Sequence, residues 1–279
     1  MSDNSSANPV AIITGASSGI GRAVAIALAK RRYAVVLAAR RLELLEQVAR
    51  ECRELSGAPA LAIATDVASR QQIDAMVASV MERFGKVDVL VNNAGYGLFS
   101  SVQDTTDEQM RRIFDVNFFG LFYGCQAVAP IMMKQRSGHI MNVSSVIGKR
   151  GTPFHGAYCA TKFAVAGLTE SLRVELKPCG VRVTLVCPGL TETEFFDQSG
   201  GAMAKSAFVK FKGMMSAQAV GDKMAAAVGK NKTQIVFTAG GKFLAIASAL
   251  LPGAVDAMMG VYRNELLKNL KAGEKKPQS

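Results

Sequence analysis

Apolar residues in this chain alternate between two kinds of spacing. Short runs that are wholly or mostly apolar occur at residues 10–13, 34–39, 60–65, 87–91, 139–143, 181–187 and 233–237. Runs of this length, bounded by glycine, proline or polar residues, read as strands buried on both faces. Longer segments lie between them, at residues 22–30, 42–55, 71–84, 106–136 and 158–178, where apolar residues return at helical intervals. Strand and helix in alternation predict an α/β fold with a doubly wound parallel sheet covered on both faces. The alternation spans residues 9–239 as a single domain. Residues 1–8 and 272–279 read as disordered ends. A polar stretch at 190–215, with Gly200, Gly201 and Gly213, reads as a mobile flap.

Composition narrows the classes. About half of the 279 residues are apolar, enough for a sizeable core. Five scattered cysteines, Cys52, Cys125, Cys159, Cys179 and Cys187, lack CxxC spacing and read as reduced intracellular thiols, which points to a cytoplasmic protein. Two histidines, His139 and His155, leave little material for a metal site or a histidine-based triad. The formal charge is +11, yet no dense basic run precedes the C-terminus and basic residues are not interleaved with exposed-looking aromatics, which argues against nucleic-acid binding. An anionic cofactor or an anionic membrane surface remains as a partner for that charge.

The chemistry gathers where strands end. Residues 10–13 run into Thr14-Gly15-Ala16-Ser17-Ser18-Gly19-Ile20-Gly21 and then a helical segment. Strand, glycine-rich turn and helix is the setting in which N–H groups at a helix N-terminus hold a phosphate. The spacing is GxxxGxG rather than GxGxxG. About twenty residues on, where NAD-binding chains carry an acid for the ribose 2′-hydroxyl, this chain has Ala39-Arg40-Arg41. A guanidinium holds a 2′-phosphate with paired bonds where a carboxylate repels it, so the cofactor expected is NADP(H). Later strands end at Asp66-Val67, at Asn92-Asn93-Ala94-Gly95, at Ser144-Ser145 and at Pro188-Gly189. Two serines after a strand also fit turn capping. Asn117, inside an apolar helical run, needs bonding partners if buried.

Tyr158 and Lys162 are four residues apart, on one face of the helix expected at residues 158–178. A phenol with a pKa of roughly 10 is a poor base near neutrality. A lysine ammonium about 4 Å away, at an effective dielectric of about 20, favours the phenolate by up to about 4 kcal/mol. That is roughly three pKa units, enough to bring the tyrosine into range as a general acid or base.

In this order and spacing, the motifs resemble those of the short-chain dehydrogenase/reductase family over residues 9–237. The resemblance implies a seven-stranded sheet ordered 3-2-1-4-5-6-7 and a single Rossmann-type domain. It implies an NADP(H)-dependent oxidoreductase that moves hydride between nicotinamide and a carbonyl or secondary alcohol. Tyr158 would be the acid or base, assisted by Lys162, with Ser145 orienting the substrate and Asn117 holding a relay water. Gly15, Ser17, Ser18, Gly19, Ile20 and Gly21 would form the pyrophosphate turn. Arg40, helped by Arg41 or Ser17, would read the 2′-phosphate. Asp66 and Val67 would face the adenine, and Asn93, Ala94 and Gly95 the adenosine side. Pro188, Gly189, Thr191 and Thr193 would hold the carboxamide end, and Lys162 and Tyr158 would reach the nicotinamide ribose. The family also implies a homodimer or homotetramer, through the helices at 106–136 and 158–178.

Residues 240–271 extend beyond a minimal member of that family. They are apolar and helical, broken at Pro252-Gly253, and each half is too short to span a bilayer. The extension closes the pocket or packs on a partner subunit, the reading a hydrophobic extension usually supports. The alternative is a peripheral, amphipathic contact with a membrane, helped by Lys268, Lys271, Lys275 and Lys276. The apolar residues within the flap and tail point to a substrate with substantial apolar surface. A rival from another class is a regulatory protein that binds NADP(H) without turnover.

Overall fold

The computed structural model describes residues 8–193, 200 and 214–274, with side chains to 268. Six strands, β1 (Val10–Thr14), β2 (Ala34–Ala39), β3 (Ala60–Ala64), β4 (Val89–Asn92), β5 (Gly138–Val143) and β6 (Val181–Cys187), follow the expected runs. A two-residue parallel pair, β7 (Thr191–Glu192) with β8 (Met215–Ser216), lies outside the main sheet. With β9 (Gln234–Val236), the main sheet has seven parallel strands in the order β3-β2-β1-β4-β5-β6-β9, the expected arrangement.

Successive residues of β1 face opposite layers, as the strand period requires. Val10 and Ile12 enter one core, Ala11 and Ile13 the other. The first core is covered by α3 (Arg70–Phe84), α5 (Gly120–Gln135) and α6 (Gly156–Leu176). The second is covered by α1 (Gly19–Ala29), α2 (Leu42–Ser56) and α7 (Ala217–Ala227). Strand order reverses between β1 and β4, the switch point where an open α/β sheet leaves a crevice beyond its carboxyl ends.

The long helical region expected at 106–136 is one continuous run with a π-helical turn inside it. α4 (Asp107–Phe114) starts in a capping box, with Thr106 Oγ1 accepting from Gln109 N and Gln109 Oε1 accepting from Thr106 N. A π-helical turn, Asp115–Phe119, then widens the helix before α5. Among the described residues, the run Asp107–Gln135 is long and apolar enough to cross a bilayer. Here it packs on the sheet through Leu121, Cys125, Val128 and Met132.

The C-terminal extension is a helix pair broken where the Pro-Gly signal predicts: α8 (Ala239–Leu250) and α9 (Pro252–Glu274). α9 docks on the body through buried Val255 and Leu266 and through an Arg150–Asp256 ion pair. α8 has no buried residue, and Phe243, Ile246, Leu250 and Leu251 are exposed. Most of the flap anticipated at 190–215 lies outside the described residues, as do 1–7 and 275–279 of the anticipated disordered ends.

Candidate active site

A cavity of about 1020 Å³ lies along the carboxyl edge of the sheet. The turn after β1 forms one end. Gly15 and Gly19 have φ of +66° and +56°, values that favour glycine. A side chain on Gly15 would come within 2.9 Å of the Ala94 backbone, so the turn is pressed against the loop after β4. That loop braces it. Thr14 Oγ1 accepts from Asn93 N and Ala94 N, at 2.9 and 3.1 Å, and Asn93 Nδ2 donates to Thr14 O at 3.0 Å. Ser18 caps α1 by position but makes no side-chain cap bond, and the first turn of α1 carries no acid. The N–H groups there are available to an anion, with the helix dipole in support.

The residues present therefore fit a dinucleotide. Every cofactor contact expected from the sequence lies on the cavity wall except Gly21. Gly21 is buried behind the turn, where an added Cβ would sit 2.2 Å from Gly15 O, so it is needed for packing rather than contact. At the end of β2 stand the two arginines. Both are on the wall, and Arg41 Nη2 also donates to both Ser17 Oγ and Ser18 Oγ, at 3.3 Å each. The clasp ties the end of β2 to the glycine turn.

β5 and α6 supply the other wall. Tyr158 and Lys162 are buried on α6, with Lys162 Nζ 5.5 Å from the centre of the tyrosine ring. Lys162 Nζ donates to Val143 O at 3.0 Å, which anchors it to the end of β5. Burial pushes the lysine pKa down to about 8. Burial also raises the Tyr158 pKa, and a hydrogen bond with Ser145 opposes the rise. The expectation that Lys162 lowers the tyrosine pKa is corrected here. Loss of water around the phenol is the largest effect on Tyr158, and burial disfavours the lysine's own charge as well. Near neutrality Tyr158 is thus protonated.

Ser145 caps a turn and also faces the phenol. Its Oγ accepts from Ile147 N at 3.3 Å, capping the 3₁₀ turn Val146–Gly148, and it also reaches Tyr158. Ser144 is structural, with its hydroxyl donating to Lys162 O at 2.9 Å. Asn117 is the catalytic candidate that is not on the cavity wall. Its Oδ1 accepts from Tyr96 N and its Nδ2 donates to Tyr96 O, both at 2.9 Å, with a further bond to Thr161 Oγ1 at 3.3 Å. The amide side chain is spent on holding the loop after β4.

Residues that sequence reasoning missed complete the far end. Phe99, Ile147, Met259 and Tyr262 make it largely apolar, the last two contributed by α9. His155 lies there too, its ring edge-on to Phe99 with centroids 4.3 Å apart. Its position three residues before Tyr158 was the available signal. For Met259 and Tyr262, distant in sequence, no local signal existed.

A parallel sheet with a bare glycine turn at its switch point and a tyrosine–lysine–serine wall defines a Rossmann-type oxidoreductase. The short chain dehydrogenase family model matches residues 9–203, and the chain belongs to that family. An uncharacterized oxidoreductase of Staphylococcus epidermidis is 40% identical over 184 residues, 66% of this chain and 78% of that protein. An alcohol dehydrogenase from the archaeon Thermococcus sibiricus, complexed with 5-hydroxy-NADP, superposes with a TM-score of 0.74 at 29% identity, covering 82% of this chain and 95% of its own. A short chain dehydrogenase/reductase from Burkholderia phymatum, in complex with NAD, gives 0.74 at 30% identity, over 82% and 88%.

Proposed function

We propose that this protein is an NADP(H)-dependent reductase of carbonyl compounds with substantial apolar surface. The observation that carries the reading is the placement of Tyr158, Ser145 and Lys162 on one wall of the cavity that begins at the glycine turn. When bound, the nicotinamide supplies or accepts the hydride. Tyr158, protonated near neutrality, donates its proton to the carbonyl oxygen, and Ser145 holds that oxygen. Lys162 has three donors and commits one to Val143 O, leaving two for ribose hydroxyls and the phenol side. Asn117 acts as a brace for the loop carrying Tyr96.

Among the structural neighbours both NADP-type and NAD complexes occur, so likeness alone does not choose the cofactor. The two arginines and two serines beside the turn, with no acid at the end of β2, favour NADP(H). Exposed Phe119, Met133, Phe163 and Val174 on the outer faces of the 115–135 run and α6 favour a homo-oligomer built on those helices. The exposed apolar face of α8 with Lys242, and Arg263 and Lys268 on α9, favours a peripheral contact of the extension with an anionic membrane. A purely regulatory NADP(H)-binding role has no use for a hydroxyl pair and a buried lysine converging on one cavity.

Stopped-flow NADPH oxidation with a panel of apolar ketones and aldehydes tests the reading. Tyr158→Phe should reduce turnover by about 10²–10⁴-fold while still binding NADPH. Full activity in that variant would remove Tyr158 as the acid. Tight NADPH binding by the wild-type protein, with no oxidation by any carbonyl, would favour the regulatory role.

A further inference from the structure

The apolar end of the cavity holds a polar group that the reaction above does not use. His155 caps α6 by position and lies three residues, about one helical turn, before Tyr158. Its Nδ1 is 2.8 Å from Pro153 O. A carbonyl only accepts, so Nδ1 carries the proton and Nε2 presents a lone pair. Nε2 has no partner among the described residues, and it is not sealed in the interior. His155 itself lines the cavity.

The ring is held in place from several sides. Phe154, immediately before it, has φ of +64°, a left-handed conformation that costs a bulky residue energy. That backbone is fixed by Ser100 N donating to Phe154 O at 3.0 Å and by Cys159 N donating to His155 O at 2.8 Å. Phe99 packs edge-on against the imidazole. Burial keeps the His155 pKa below the ordinary histidine range, with the Pro153 carbonyl opposing, so the ring is neutral near pH 7. A fixed, neutral acceptor one turn from the reacting phenol is a recognition element.

The geometry points to His155 as a specificity-determining residue whose Nε2 accepts a hydrogen bond from a hydroxyl one or two carbons from the substrate's reacting carbonyl. The preferred substrates are then hydroxy ketones with an apolar remainder, and their products are diols. The inference rests on the reductase reading of the site. It adds the substrate class that Tyr158, Ser145 and Lys162 leave open.

The test compares an apolar ketone with its α-hydroxy and β-hydroxy analogues, followed by NADPH oxidation, in wild type and in His155→Phe, His155→Leu and His155→Gln. Comparing ratios between proteins cancels the intrinsic reactivity of each ketone. The hydroxy-over-deoxy ratio of kcat/KM should fall about tenfold in the Phe and Leu variants. Gln, which restores an acceptor near the Nε2 position, should recover most of it. Circular dichroism and NADPH binding identify any variant that fails to fold, and either acceptor-free variant suffices. A ratio unchanged in the acceptor-free variants, with both substrates falling together, would reduce His155 to a packing role and overturn the inference. A wild-type protein with no preference for either hydroxy ketone would overturn it too. Wild-type protein that binds NADPH but oxidises it with no ketone at all would instead overturn the reductase reading beneath it.

Discussion

Arg40 and Arg41 sit side by side in sequence but are not equivalent. Both line the cavity, and Arg41 in addition bridges to Ser17 and Ser18 beside the glycine turn. A 2′-phosphate placed there would meet two guanidinium groups and two hydroxyls, and charge-assisted bonds of this kind are the strong ones. Arg40→Asp should weaken NADPH by about tenfold or more and leave NADH much less affected, measured by fluorescence titration of each. An NADPH/NADH ratio that does not move would take Arg40 out of phosphate recognition. At this scale the sequence was informative about identity and poor about environment. The Tyr158–Lys162 spacing, Ser145 and the arginines were all legible. The sign of the tyrosine shift was not, because spacing reveals a neighbouring charge and says nothing of burial, which dominates here. The partners of Asn117 were hidden for a related reason. An amide in an apolar run advertises that it has partners but not that Tyr96 takes both of its ends.

Among the elements, α5 shows how closely a helix must approach the sheet to shape the site. A Cβ added at Gly120 would fall 2.8 Å from the Val67 side chain and 2.9 Å from Val67 O. One added at Gly124, one turn further, would fall 2.6 Å from Asn92 Oδ1. Asn92 also donates to Asn142 Oδ1 at 3.0 Å, and Asn142 to Thr169 Oγ1 at 3.1 Å, so a buried polar chain ties β4, β5 and α6 together. Alanine would gain about 0.5–1 kcal/mol of helix propensity at either position. The overlap outweighs it, because backbone and a bonded amide cannot step aside cheaply. Gly120→Ala and Gly124→Ala should each lose about 1–3 kcal/mol net, read from the urea midpoint. A midpoint that rises would mean that the helix stands further from the sheet than its glycines indicate. Strands, most helices and the break before α9 follow from periodicity and from Pro252-Gly253. The π-helical turn at Asp115–Phe119 does not, since a single extra residue per turn barely disturbs an apolar period.

For the molecule as a whole, His139 couples folding to pH. It lies in β5 with Nε2 2.8 Å from Thr184 Oγ1 on β6, while Gly229 N donates to its Nδ1 at 3.1 Å. Thr184 Oγ1 in turn donates to Lys232 O at 2.6 Å. Nδ1 must therefore accept and Nε2 carry the proton, so the network admits only the neutral ring. Burial, with Arg182 adding repulsion, pushes the His139 pKa down to about 4. An unfolded chain titrates this residue at about 6.5. Between these values the unfolded state binds the extra proton, so stability is full above about pH 6.5 and falls as the pH drops towards 4. The gap corresponds to about 3 kcal/mol, and His155, also depressed by burial, adds loss in the same direction. Urea unfolding of wild type and His139→Gln from pH 7.5 to 4 isolates the contribution. Glutamine can donate and accept but does not titrate, so the variant's stability should fall with acid less steeply than wild type by about 3 kcal/mol over this range. Parallel curves for the two proteins would mean that His139 accepts its proton without unfolding, and that the link between β5, β6 and the loop after α7 tolerates a charged ring.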